Sequence, residues 1–375
     1  MMMTTELPGT FTSVSEVENI SFANVSFGDS CQRVSLIHYH TTLIPAIYSI
    51  IFLLGFIGNI LVALVLCQQI GFKTVASTYI LNLVISDILF LLSLPLWAVY
   101  YYLRFNWIFG TLMCKVCGSV LTINLFASLF FITCMSVDRY LAIVHPFRSQ
   151  SSRSVCRARA VSCLVWLLAL LSSFPSMYFR NTYYLKELKV TACIMHYPDE
   201  NNAMWAAAMA LMKNTLGFLI PFTIIATCYI GIGKHLLRTP DLDKSTNNRD
   251  RALKMVIAVV LAFFLCWFPF HVVTFLDVLT RFKLITSCEV KSFIDTVMPF
   301  TLCVAFMNSS INPFLYSFLG NHFREQFHHL YDRRQSSLSQ KRGSISTRLS
   351  SFSRKLSDLK DMGVLETFTQ SKGHE

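Results

Sequence analysis

Read from its first residue, the chain alternates long apolar stretches with short polar ones. Nearly uncharged apolar runs lie near 43–67, 78–103, 112–138, 159–179, 203–233, 252–280 and 292–319. Each is long enough to cross about 30 Å of hydrocarbon, which takes roughly 20 helical residues. Inside a bilayer only helices and closed barrels satisfy every backbone N–H and C=O, so runs of this length predict seven membrane-spanning helices. Pro95, Pro175, Pro221, Pro269, Pro299 and Pro313 interrupt them, which neighbouring helices tolerate. The expected architecture is an all-α seven-transmembrane helix bundle over 42–319. Before it comes an N-terminal segment, 1–41. After it come a short amphipathic helix, 320–332, and a disordered tail, 333–375, rich in serine and basic residues.

Composition closes off the alternatives. Of 375 residues, 54% are hydrophobic and 14% charged, with a mean hydropathy of +0.51; a soluble domain carries about 25% charged residues. The formal charge of +11 matters through its placement. With the N-terminus outside, 22 of the 32 lysines and arginines fall on inner segments. This is the positive-inside pattern, and it argues against a nucleic-acid partner. Sequons at Asn19-Ile-Ser21 and Asn24-Val-Ser26 agree, since only an outer segment could be glycosylated. The first forty residues hold no apolar signal-peptide core, so the first span is expected to direct insertion. Twelve cysteines are too few for a disulfide scaffold. Cys31, Cys114, Cys193 and Cys288 fall on the oxidising side, with Cys117 one turn below Cys114 as a competitor, and composition leaves their pairing open.

Every span carries residues that a plain apolar helix does not need. In order they are Gly58-Asn59, Asn82-Leu-Val-Ile-Ser-Asp87, Asn124 with Ser128 and Asp138-Arg139-Tyr140, Trp166, Pro221 with Tyr229, Cys266-Trp267-Phe-Pro269, and Asn308-Ser-Ser-Ile-Asn312-Pro313-Phe-Leu-Tyr316. This ordered set resembles the class A, rhodopsin-like G-protein-coupled receptors over about residues 40–330. Leu94-Pro-Leu-Trp97, the segment Phe126 to Asp138, Ala226-Thr-Cys-Tyr229 and Phe268-Pro-Phe-His271 narrow the resemblance to the angiotensin receptors. Ala192-Cys193-Ile-Met195, Ala210-Leu-Met-Lys213-Asn and Ser287-Cys288-Glu-Val290 are most similar to their type 2 branch. The run from Asp138 to Pro146 reads more like the type 1 branch or class A at large.

Asp87 is the one carboxylate deep in a span, where an ionised group costs about 2.5–3.5 kcal/mol on insertion scales. Asn124, Ser128, Asn308 and Asn312 are the candidate oxygen donors around it. The resemblance implies a sodium-linked network that rearranges on activation; the residues alone also allow a neutral aspartate that holds helices together. Arg139 stays charged and needs Asp138, water or a partner. By resemblance the triplet Asp138-Arg139-Tyr140 is the G-protein switch, with Tyr229, Asn312, Pro313 and Tyr316 moving around it. Many class A receptors place an acid at the inner start of span six; here that position is Arg249, so a lock of that kind is not expected. Trp267, two residues before the kinking Pro269, resembles the aromatic toggle beneath the ligand.

The outer half specifies the ligand. Lys213 follows the apolar run Ala206 to Met212, where a cation needs an anion. The resemblance assigns Lys213 and Arg180 to the peptide's C-terminal carboxylate and backbone, and Asp277 and Asp295 to the hormone's arginine. It places Trp97, Tyr48 and His271 on the walls. It also implies disulfides Cys114–Cys193 and Cys31–Cys288. In the tail, basic runs before Ser336, Ser344 and Ser357 resemble kinase sites.

The expected function is a plasma-membrane receptor for angiotensin II or a related peptide, signalling through G proteins and/or arrestin in contact with membrane lipid. The alternative is another class A peptide receptor, of bradykinin, apelin or chemokine type. There are no repeated half-sequences of a transporter. Nor is there a His-Glu-x-x-His, paired intramembrane aspartates or Gly-x-Ser-x-Gly of a membrane enzyme. No enzymatic activity and no cofactor beyond the sodium ion are expected.

Overall fold

A computed structural model describes residues 37–68, 74–147, 154–186, 188–238, 247–319, 351 and 353–355. Seven helices dominate it: α1 (Ile37–Gln68), α2 (Val75–Tyr102), α3 (Gly110–Val144), α4 (Val155–Phe179), α5 (Asn202–Arg238), α6 (Asn247–Arg281) and α7 (Cys288–Leu319). All seven contain a stretch long and apolar enough to cross a membrane. The chain is a multi-pass membrane protein, as the apolar runs predict.

Local chemistry sets the helix starts. Thr74 and Ser154 are extended N-caps whose hydroxyls accept from the backbone N–H of Ser77 and Arg157, satisfying donors that a helix start leaves free. Pro45, Pro95, Pro175, Pro269, Pro299 and Pro313 all lie inside helices. In α5 the response to proline is visible. Pro221 cannot donate and its ring crowds the carbonyl one turn back, and Thr215–Leu219 just before it is a wider π turn, closed by the Ile220 N–H on the Thr215 carbonyl.

The helices close a ring in which α1 packs on α2 and α7, α5 on α6, and α6 on α7. Helix α3 runs through the middle, touching α2, α4, α5 and α6. Its most apolar window is 67% buried, against 28% in α4 and α5; α4 and α5 therefore turn most of their surface outward. Between them lies an antiparallel hairpin, β1 (Arg180–Leu185) and β2 (Val190–Met195), in register from Arg180↔Met195 to Leu185↔Val190. Sequence pattern did not predict these strands. The hairpin marks one end of the bundle, called here the hairpin end, where α2 and α4 end and α3 begins.

Candidate functional site

At the hairpin end, α3 fixes the connection between α4 and α5. Cys114 is disulfide-bonded to Cys193 of β2, with Cα atoms 5.6 Å apart, while Cys117 is a buried thiol. Thr111 and Thr182 share a hydroxyl hydrogen bond of 2.6 Å. The ammonium of Lys115 donates to the carbonyls of Met177 (3.2 Å) and Tyr178 (3.4 Å) at the end of α4, where a cation also complements the helix dipole. These ties place Arg180, the first residue of β1. Its guanidinium carbon stands 5.4 Å from the Trp97 ring centre, and the residue is 2% exposed. Trp97 packs in turn on Tyr100 and Trp107. Tyr48 is equally buried, between Tyr101 and Phe306.

Across the bundle, Lys213 and Asn214 occupy the last turn of α5 before its π turn, and both are buried. The Asn214 Oδ1 is 2.7 Å from His271 Nδ1 on α6 and 3.4 Å from the Thr274 hydroxyl. His271 packs against Phe218, Trp267 and Phe270. Asp277 and Asp295 lie on α6 and α7 near the same end. The Asp277 carboxylate receives the Arg281 Nε at 2.8 Å, one turn along its own helix; Asp295 is half-buried. Cys288 is disulfide-bonded; its expected partner, Cys31, lies outside the described residues, as do Asn19, Asn24, Ser336, Ser344, Ser357 and the segment 320–332. The side chain of Arg249 is likewise not described.

Mid-bundle, Asp87 is fully buried on α2. Its Oδ1 accepts from Asn124 Nδ2 (3.1 Å) and the Ser309 hydroxyl (2.7 Å), and its Oδ2 accepts from Asn312 Nδ2 (3.0 Å). Asn124 Nδ2 also points at Ser86 Oγ (3.1 Å) and Ser128 Oγ (3.3 Å). Asn308, also expected around Asp87, makes no hydrogen bond to it, and neither its Oδ1 nor its Nδ2 has a hydrogen-bond partner; the α7 hydroxyl that meets the carboxylate is that of Ser309. One residue is about 100° of helix rotation, enough to exchange them. The Asn59 amide secures the junction by donating to the carbonyls of Gly55 (2.9 Å) and Ser309 (2.8 Å).

The family profile described as 7 transmembrane receptor (rhodopsin family) matches residues 58–316. The human type-2 angiotensin II receptor is 50% identical over 338 residues, covering 90% of this chain and 92% of that protein. The chain belongs to the rhodopsin family of seven-transmembrane receptors, on its angiotensin II receptor branch. The rat type-2 receptor is 51% identical over 317 residues, 84% of this chain and 87% of its own length. The rat type-1 angiotensin II receptor B is 42% identical over 299 residues, 80% and 83% of the two chains. The type 2 resemblance of the short runs thus extends over most of the chain, and these relatives are receptors, not enzymes.

The other residues singled out in the sequence lie from the middle of the helices toward the end away from the hairpin. Arg139 Nη2 is 2.9 Å from Asp138 Oδ2, its neighbour in sequence, with both side chains largely shielded. Tyr140 lies against Gly231 of α5, where an added Cβ would come 2.5 Å from the ring. The Tyr229 hydroxyl is buried without a hydrogen-bond partner, and Tyr316 is fully buried on α7 with Asn312 one turn before it. Pro313 presses on Gly58 of α1, where a Cβ would stand 2.9 Å from the proline ring. Trp267 is buried between Phe263 and Phe270, its Nε1 without a partner. Trp166 ties α4 to α2 by donating to Asn82 Oδ1 at 2.9 Å. Sequence reasoning missed Asn214, Ser309, Ser86 and Lys115. Only Asn214 left a signal, as an amide beside Lys213 at the end of an apolar run.

Proposed function

We propose that this receptor lies in the plasma membrane with its N-terminus outside and binds angiotensin II or a closely related peptide at the hairpin end. In this reading it passes the signal to a heterotrimeric G protein and/or arrestin at the opposite end. One observation carries the ligand reading: two cationic side chains, Arg180 and Lys213, are 2% and 6% exposed in the same half of the bundle. A peptide's C-terminal carboxylate arriving there would meet two positive charges already shielded from water, where charge attraction is strong. The similarity to type-2 and type-1 angiotensin II receptors supports the identity of that peptide. Asp277 and Asp295 are the natural partners for a peptide arginine, which fixes the peptide's direction as well as its affinity. Trp97, Tyr48 and His271 form apolar and aromatic walls around it.

Binding shifts the helix-bundle equilibrium only as far as the peptide prefers one arrangement over the other. Trp267, two residues before Pro269, is the pivot in this reading, since the proline removes a backbone bond from α6. In the other half, Arg139 would exchange Asp138 for the effector, with Tyr140, Tyr229, Asn312, Pro313 and Tyr316 repacking around it. The Asp87 network fits a sodium ion. It offers a carboxylate, Ser128 Oγ and the Asn124 carbonyl, and the buried Oδ1 atoms of Asn308 and Asn312 have no hydrogen-bond partner. Such oxygen donors suit a hard cation. When bound, the ion would neutralise Asp87 and join α2, α3 and α7 through charge. The reading further includes glycans on Asn19 and Asn24, a Cys31–Cys288 disulfide, a lipid-bound helix at 320–332, and phosphorylation of Ser336, Ser344 and Ser357 on an otherwise disordered tail.

The test is equilibrium binding of labelled angiotensin II to membranes carrying the full chain, alongside Lys213→Ala and Asp277→Ala. Saturable binding, weakened by both substitutions, supports the hormone and its orientation together. Binding indifferent to both would keep the hormone and sink the pocket. A surface-expressed receptor that binds none would send the assignment to another peptide.

A further inference from the structure

Four residues on one face of α3 hold the α4–α5 connection in place. Thr111, Cys114, Lys115 and Gly118 follow the i, i+3, i+4, i+7 spacing that lines up along a helix. The first three meet Thr182, Cys193 and the last carbonyls of α4. The fourth has no side chain, and the Arg180 side chain lies directly across it. A Cβ at 118 would overlap Arg180 Cδ and Nε and stand 2.9 Å from Cζ. On the other side the guanidinium faces the Trp97 ring. Arg180 thus has a bare stretch of helix backbone against its Cδ and Nε and an indole ring 5.4 Å from its Cζ.

We infer that Gly118 is a positioning residue for the receptor's ligand site: its missing side chain is what lets the Arg180 guanidinium lie against α3 beneath Trp97. It touches no ligand and acts only through Arg180. The inference rests on the reading of Arg180 as a contact of the peptide. Glycine is the residue that permits close approach to backbone, and the first-residue position of Arg180 in a hairpin pinned at Cys193 and Thr182 leaves its backbone little room to retreat. The groups that a Cβ would displace are the far end of a flexible side chain. A methyl at 118 therefore moves the guanidinium rather than the helix, so the fold survives and the site geometry does not. The displaced fork loses its face contact with Trp97 and the fixed direction of its N–H donors, which is what a guanidinium contributes over a plain positive charge.

The test is a double-substitution cycle in the full-length receptor, read as equilibrium binding of radiolabelled angiotensin II with surface expression measured in parallel. G118A is expected at the surface in normal amount with affinity reduced about ten- to a hundredfold, the scale of a charge-assisted hydrogen bond. R180A is expected to lose a similar amount, and G118A/R180A to be no weaker than R180A alone. A merely structural glycine would not give that result, since its cost would add to that of R180A. The inference is overturned if G118A binds like the wild type. It is overturned equally if the G118A loss persists undiminished in the R180A background, or if G118A fails to reach the surface, since the helix would then have yielded instead of the arginine. Wild-type receptor at the surface without angiotensin II binding would overturn the ligand reading and this inference with it, an outcome distinct from the other three.

Discussion

The imidazole of His271 and the amide of Asn214 join α6 to α5, Nδ1 to Oδ1 at 2.7 Å, with both residues buried. The bond sits one helical turn from Trp267 and two residues beyond Pro269 on α6, and immediately before the π turn on α5. Two helices that are both weakened by proline are therefore tied to each other at the level where each can bend. The tie also connects the proposed ligand half to the proposed switch half, because Asn214 adjoins Lys213 in sequence while His271 packs on Trp267. A ligand that draws Lys213 toward itself pulls on the residue holding α6.

Replacing Asn214 by alanine is expected to lower the thermal stability of the purified receptor. It leaves His271 Nδ1 buried without its partner, at about 1–3 kcal/mol, or a few degrees in the unfolding midpoint of a domain of this size. Adding His271→Phe should restore part of the loss by removing the stranded polar group. Additive losses in a thermal-shift assay would show that the two residues act independently.

The seven spans were legible because they depend only on run length and composition. The span expected at 43–67 corresponds to Thr41–Cys67 and that at 78–103 to Val75–Tyr102. Asp87 was legible for the same reason, as a charge where none is cheap. Features that depend on helix phase were not. The choice of Ser309 over Asn308 turns on one residue of rotation, and the π turn before Pro221 sets how Lys213 and Asn214 face. Gly118 carries no chemistry of its own and acquires meaning only from the arginine laid across it. The hairpin pairs strands that are short and flanked by α4 and α5, so the local pattern reads as a loop until Cys193 and Thr182 are joined to α3.

Asp277 is engaged by Arg281 at 2.8 Å, so in the proposed binding mode a peptide arginine must exchange with an internal one. Removing the competitor with Arg281→Ala should strengthen angiotensin II binding, by about fivefold if breaking this pair, whose side chains are 11% and 15% exposed, is worth about 1 kcal/mol. Asp277→Ala should weaken binding whether or not Arg281 is present. Competition binding on the four combinations checks this; an Arg281→Ala receptor with weakened affinity would show that Arg281 supports the site rather than occupying it.

The Asp87 network predicts a response to sodium. Replacing choline by sodium at constant ionic strength should lower agonist affinity at least about fivefold, the lower range of typical coupling between sites, if the ion favours the arrangement that binds agonist less well. Asp87→Asn keeps the size of the side chain but removes its charge, and agonist affinity in that variant should be the same in both salts. Sodium sensitivity that survives in Asp87→Asn would place the ion elsewhere.

The Cys114–Cys193 bridge closes a loop of 79 residues between α3 and β2, and breaking it is expected to cost about 2–4 kcal/mol, chiefly by freeing alternative loop conformations. Cys117 lies three residues further along α3, only 4% exposed, and is turned toward the bundle. Bridging Cys193 from there would require the hairpin to descend by most of a helical turn, against the Thr111–Thr182 tie on β1 and the Lys115 tie on the end of α4. Cys114→Ser and Cys193→Ser should therefore lose thermal stability to the same extent, and peptide mapping of Cys114→Ser should recover Cys117 as a free thiol. A Cys117–Cys193 crosslink in that variant, with stability restored, would mean that the Thr111 and Lys115 ties are weaker than their geometry implies and that the hairpin can slide along α3.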